Sequence, residues 1–236
     1  MPNPSTPGFE QSTESRSGSE NNTAMLHTVR ELGPRDAYAL ATIQVANFPN
    51  ATLSLLGEGL LAELYQHLLG FRGGIYLGLE SEGRLVGFVC GGDASAEREM
   101  IKSIMKRLRW KLLLQVGRRP SIVIALFKPS SAHPQMLSNK TVSWEAPPVP
   151  ISCLDAPIFR LKFLAVNGEE NRNKGYGHEL LDAFDQHARD NGAKSIVLGV
   201  LATNHAARRL YVSHGMSRVT VKNPSPPLIY YGKRLD

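Results

Sequence analysis

Apolar positions recur at helical spacing in AYALATIQVANF (37–48), which stops before Pro49, and in LGEGLLAELYQHLLG (56–70), which Gly70 closes. HTVREL (27–32) ahead of them reads as a first strand. GIYLGLE (74–80) and RLVGFVCGG (84–92) are β-rich runs joined by Ser81-Glu82-Gly83, the pattern of a hairpin. Further on, IFRLKFLAV (158–166) predicts a strand. Leu180, Leu181, Phe184 and Ala188 then mark the apolar face of a helix that Asn191-Gly192 stops. KSIVLGVL (194–201) is again β-rich, Asn204 is an N-cap for the helix HAARRLYVS (205–213), and Gly215 ends that helix. MSRVTV and IYYGKRL supply the last strands. Strands alternating with helices give a mixed α/β (α+β) class.

Two stretches break this rhythm. Residues 1–24 hold Ser, Pro, Asn and Glu with almost no large apolar side chain, so they read as a disordered tail. Residues 94–157 read as an insertion in a single domain spanning 25–236. Within it, Ile101, Ile104, Met105, Leu108 and Leu112 fall at helical spacing beside Lys102, Lys106, Arg109 and Lys111. Residues 129–157 carry six prolines and little periodicity, a long loop.

Composition narrows the classes. Net charge is +6, and three glutamates against Arg16 leave the tail at −2 and the remainder at +8. A basic domain suits an anionic partner: nucleic acid, a membrane surface or a phosphorylated cofactor. Two cysteines, Cys90 and Cys153, make no disulfide framework and point to a reducing cytoplasm. No run of about 20 apolar residues suggests a membrane span. None of the seven histidines falls in a zinc-binding spacing, so no metal is expected. His178, His187 and His214 read as helix-surface residues.

The candidate chemistry lies in RNKGYG (172–177). A phosphate cradle needs several backbone N–H groups converging at the positive end of a helix, glycines for close approach, and nearby cations. Arg172, Asn173, Lys174, Gly175, Tyr176 and Gly177 supply these between a strand and an amphipathic helix. A P-loop sequence is absent, and the third glycine of a dinucleotide fingerprint is missing.

The hexapeptide resembles the R/Q-x-x-G-x-G/A loop of the GNAT N-acyltransferase superfamily. NHAARRLYVSHGM (204–216) resembles that family's second signature, with Asn204, Ala207, Tyr211 and Gly215 in register and Met216 in place of the usual Phe. The resemblance covers residues 158–218 and, more loosely, 27–92. One departure stands out: Val166 and Arg172 are six residues apart where five is usual.

The resemblance implies a mixed central sheet with splayed middle strands, flanked by helices, and acetyl-CoA or another acyl-CoA as co-substrate. It implies that the pantetheine arm lies along Phe163 to Val166, with Leu164, Ala165 and Val166 as contacts. The pyrophosphate would rest on Arg172 to Gly177, Asn204 would hold the pantetheine or orient nearby groups, and Tyr211 would be the acid for the departing thiolate. The acceptor is expected to be a small-molecule amine entering opposite the cofactor, capped by the insertion, with protein and RNA acceptors left open. Glu145, Asp155 and Asp93 are candidates for a general base, none of them singled out.

A different class stays open. The chain could be a non-catalytic acyl-CoA-binding module, or a nucleic-acid binder using the basic 98–119 segment. That segment offers only Trp110 for stacking on bases, which counts against the nucleic-acid reading.

Overall fold

The computed structural model describes residues 27–93 except 52 and 72, residue 99, and residues 144–235 except 223, 225 and 226. The tail and the basic 98–119 segment, Glu99 apart, lie outside the described residues.

Strand β1 (His27–Glu31) leads through a short 3₁₀ turn into helix α1 (Ala37–Asn47) and then helix α2 (Glu58–Leu68). Strands β2 (Gly74–Ser81) and β3 (Arg84–Asp93) form the expected hairpin. Glu82 at φ 53° and Gly83 at φ 72° make its turn. Two consecutive positive φ values twist the chain in the sense that antiparallel strands require. Strand β5 (Ile158–Val166) spans the predicted nine residues, and helix α3 (Tyr176–Asp190) follows it. Strand β6 (Ser195–Leu201), helix α4 (His205–Ser213), and strands β7 (Ser217–Thr220) and β8 (Leu228–Arg234) complete the fold.

One stretch read as loop contributes to the sheet. Val149–Pro150 forms strand β4, which pairs in parallel with β7 at the edge. Two residues carry no periodicity, and proline is tolerated on an edge strand because no neighbour needs its N–H.

The eight strands lie in the order β1-β2-β3-β5-β6-β8-β7-β4. Only β5–β6 and β4–β7 are parallel, so the sheet is mixed. Helices α1 and α2 cover one face through Leu40, Leu61, Leu64 and Tyr65, which meet Phe88 and Ala165 of the sheet. Helix α3 covers the other through Leu180, Leu181 and Phe184, packed on Leu77, Val89 and Leu161. Tyr211 brings α4 onto this second core. The Phe184 ring sits over Gly91 of β3, where an added Cβ would come within 2.8 Å of it.

The apolar face of α3 has one polar member. Asp185, 4% exposed, accepts a hydrogen bond from Lys233 Nζ and lies 2.9 Å from His214 Nε2. This corrects the surface reading of His214, whose side chain is only 6% exposed. Its position at the end of α4 gave no sign that a carboxylate of α3 would lie beneath it. His178 and His187 are half-buried. Cys90 is buried and Cys153 exposed.

Phe184→Ala should lower the unfolding free energy by about 3–5 kcal/mol, through lost burial and the cavity left between α3 and β3. Denaturant unfolding measures this, and a loss under about 1 kcal/mol would contradict the packing described.

Candidate functional site

The site begins where two neighbouring strands stop pairing. Strands β5 and β6 are in register only from Ile158↔Ser195 to Leu161↔Leu198. Beyond Leu161, β5 runs on to Val166 held by β3 alone, while β6 runs on to Leu201 held by β8 alone. The departure coincides with a bulge: Cys90 pairs with Phe163 and Gly91 with Leu161, so Lys162 is the extra residue in the ladder. One extra residue reverses which side chains face which layer. Phe159 and Leu161 join the α3 core, whereas Phe163 and Ala165 point to the α1–α2 side, and Leu164 and Val166 return to the α3 side. Strand β5 thus presents an unpaired backbone edge from Phe163 to Val166, beside Leu164, Ala165 and Val166.

At the end of this edge the chain turns into the glycine-rich loop. Asn167 donates its N–H to Val86 O (2.7 Å), and Asn47 of α1 reaches Asn167 Oδ1 (3.3 Å). Before Arg172 the chain makes a 3₁₀ turn, Glu169–Asn171, capped by Gly168 at φ 82°. That turn uses the Arg172 N–H, which donates to Glu169 O at 3.1 Å. The Arg172 guanidinium bonds the Glu169 carboxylate at 2.5 Å, on an exposed surface. Arg172 is therefore engaged within the loop itself.

The next five backbone N–H groups, Asn173 through Gly177, find no acceptor among the described residues. Asn173 at φ 60° and Gly175 at φ 86°, ψ −9° are both left-handed, with Lys174 between them. Left-handed positions in such a loop turn successive amides toward a common concavity that suits an anion. Tyr176 and Gly177 are the first residues of α3, whose N-terminus adds about half a positive charge. Lys174 Nζ lies 5.8 Å from the Tyr176 ring centroid, and the ring of His27, whose Nε2 is 3.0 Å from Glu179 Oε1, lies 5.2 Å from the same ring. A Cβ on Gly177 would stand 3.0 Å from Leu210 of α4, so this glycine lets the two helices approach closely.

Across the opening, Asn204 caps α4: its Oδ1 accepts the Ala207 N–H at 3.1 Å. That bond leaves Nδ2 as a donor with no partner among the described residues. Tyr211 lies two turns along the helix, 6% exposed, its ring 6.1 Å from that of Tyr231. Burial pushes its hydroxyl up to about 12, because a phenolate there would lose hydration. The hydroxyl has no hydrogen-bond partner among the described residues, so it can give its proton to an incoming group.

Of the three carboxylates considered as bases, Glu145 is the most changed by the structure. Its side chain is 1% exposed, and Oε1 accepts from Arg208 Nε (2.9 Å), Arg208 Nη2 (2.7 Å) and the Tyr231 hydroxyl. A carboxylate so enclosed is not free to take a proton from an acceptor. Asp155 pairs at the surface with Arg234 at 3.0 Å, and Asp93 ends β3. Sequence reading missed Arg208 altogether. Nothing in the local pattern marks it, and only a partner 63 positions earlier reveals that it is buried. Among the described residues no group of three metal-binding side chains could hold an ion, and no helix is long and apolar enough to cross a membrane.

Comparison with known proteins agrees with this arrangement. Residues 147–216 match the model of the Acetyltransferase (GNAT) family. The match takes in all the candidate residues from Leu164 to Tyr211. The fold is shared with solved GNAT structures. A protein described only as an acetyltransferase aligns with TM-score 0.55 and 20% identity over 89% of this chain and all of its own. Ard1 from Thermoplasma volcanium gives 0.51 and 16% over 89% and 98%, and the ribosomal-protein-S18-alanine N-acetyltransferase from Escherichia coli gives 0.50 and 15% over 89% and 95%. No curated protein matches the sequence.

Asn204→Ala should cost about 1 kcal/mol of stability, while Asn204→Asp, which keeps an acceptor at the cap, should cost much less. Denaturant midpoints of the two variants check this, and equal losses would remove the capping role.

Proposed function

We propose that this chain, whose residues 147–216 match the model of the GNAT acetyltransferase family, transfers an acetyl or similar acyl group from CoA to a primary amine of a small molecule. The observation that carries the reading is the continuity of two unsatisfied surfaces. The open backbone edge of Phe163 to Val166 leads directly into five unpartnered N–H groups at Asn173 to Gly177.

An extended pantetheine arm carries amides that can pair with a strand edge, with Leu164, Ala165 and Val166 as its contacts. The pyrophosphate takes the N–H groups of Asn173, Lys174, Gly175, Tyr176 and Gly177, where the helix end and Lys174 favour negative charge. Arg172 contributes by shaping the approach to the loop. The free amide of Asn204 donates to the pantetheine from the β6 side.

Acyl CoA supplies an activated thioester. The neutral amine attacks its carbonyl carbon, a C–N bond forms, and the C–S bond breaks to release a thiolate. Tyr211 shares its proton with that sulfur as the bond breaks, and the thiolate then takes a proton from solvent. The amine's own proton leaves to water, since Glu145 is enclosed and engaged. A thiol of pKa about 8.5 is already a fair leaving group, so the phenol need only share its proton.

A GNAT relative can act on proteins, as the S18-alanine enzyme from Escherichia coli does. The acceptor class is therefore tested directly: acetyl-CoA consumption, followed by free thiol, with a panel of aminosugars, amino acids and polyamines beside peptides bearing free N-termini. Turnover with peptides alone would overturn the small-molecule assignment. Cytoplasmic residence belongs to the same proposal, since acyl-CoA is available there.

Tyr211→Phe should lower kcat by about 10²–10⁴-fold while leaving acetyl-CoA affinity by calorimetry unchanged. Gly175→Val should do the reverse, weakening acetyl-CoA binding, because a β-branched residue resists a positive φ. The pH profile follows from the acid. A proton donor works while protonated, and a hydroxyl raised to about 12 stays so up to strongly alkaline pH. The rate should climb with pH as the acceptor amine deprotonates and show no tyrosine-dependent fall below pH about 10.

A further inference from the structure

We propose that Glu145 is a positioning residue for the transfer step, holding α4 through Arg208 and Tyr231 at the setting in which the Tyr211 hydroxyl reaches the leaving sulfur. The inference rests on the reading of Tyr211 as the acid.

Glu145 belongs to neither of the helices nor the strands that build the opening, yet three of their donors converge on its Oε1. Each donor sets one coordinate of Tyr211. Arg208 precedes Tyr211 by three residues on α4, so the two share a side of the helix. Its Nη1 donates to Ala202 O at 2.7 Å, which ties the first turn of α4 to the end of β6 beside the open strands. Tyr231 of β8 stands against the Tyr211 ring and limits its tilt. The Trp144 ring closes over the guanidinium at 5.4 Å, keeping water from the group. Burial alone works against the charge on Arg208. Its bonds to Tyr231 and Glu145 outweigh that, and its pKa lies above the ordinary value.

A buried ion pair can also serve stability alone, and often an apolar pair of similar volume serves it as well. The two roles separate because stability responds to filled volume and neutralised charge, whereas placement of α4 needs the directional bonds to Ala202 O and Tyr231.

The test measures kcat, acetyl-CoA affinity and Tm for Glu145→Gln, Tyr231→Phe, the pair Glu145→Leu/Arg208→Met, and Tyr211→Phe. A displacement of the acid by a fraction of an ångström should lower kcat of Glu145→Gln about tenfold or more with affinity for acetyl-CoA kept. Tyr231→Phe should change in the same direction. The apolar pair should regain Tm but not kcat. Added to Tyr211→Phe, Glu145→Gln should lower kcat no further, because it acts through that hydroxyl. Recovery of kcat together with Tm in the apolar pair would overturn the proposal. So would a further full loss in the Tyr211→Phe background. If Glu145→Gln does not fold, the apolar pair and Tyr231→Phe decide between the two roles in its place. An unaltered kcat in Tyr211→Phe would instead remove the acid assignment, and the positioning role with it. That failure is told apart because it appears in a variant with Glu145 intact.

Discussion

The backbone hydrogen bonds that β5 and β6 do not make govern this structure. Two parallel strands inside a sheet normally satisfy each other along their length, and a buried edge without partners is costly. Here pairing ends at Leu161↔Leu198, and the fold is arranged so that the gap neither closes nor unravels. Strand β3 grips β5 on its far side as far as Val166, and β8 grips β6 as far as Leu201. The bulge at Lys162 turns β5 at the parting point. Helix α3 packs across β2, β3 and β5, and α4 sits over the other half, so each arm of the opening has its own buttress.

The same gap explains why polar chemistry gathers on one side of the sheet. The loop after β5 comes out of the gap with its amides unspent, and the cap of α4 comes out of the other arm with a free side-chain amide. Tyr211 sits in an apolar seat in the α3-side core, its ring beside that of Tyr231. Burial of that seat raises the phenol, and the absence of a fixed partner among the described residues leaves its proton available. Around it, Arg208 and Tyr231 converge on Glu145 Oε1 out of reach of solvent, while Oε2 faces the Arg218 guanidinium at 3.9 Å.

Much of this was legible in the chain because local rules and tertiary placement agree there. The nine residues of β5, the Glu82-Gly83 turn, the Asn204 cap and the apolar face of α3 each follow from spacing or from a special backbone conformation. The left-handed turn at Gly175 follows for the same reason. What stayed hidden depends on partners far off in sequence. A bulge at Lys162 has no signature in LKFLAV, since it exists only against Cys90 and Gly91. His214 looks exposed at a helix end until Asp185 is placed beneath it. Val149–Pro150 is too short to have a period. Glu145 read as a potential base because a lone carboxylate in a loop gives no hint of a guanidinium waiting 63 residues later. Nothing between Val166 and Arg172 foretold that a 3₁₀ turn would form there and spend the Arg172 amide.

Gly177 links the two halves of the opening. It stands in the first turn of α3, among the unpartnered amides, and its missing side chain makes room for Leu210, the residue before Tyr211. The glycine-rich loop and the helix bearing the phenol therefore meet where no side chain stands between them, and any residue larger than glycine at 177 would have to displace Leu210.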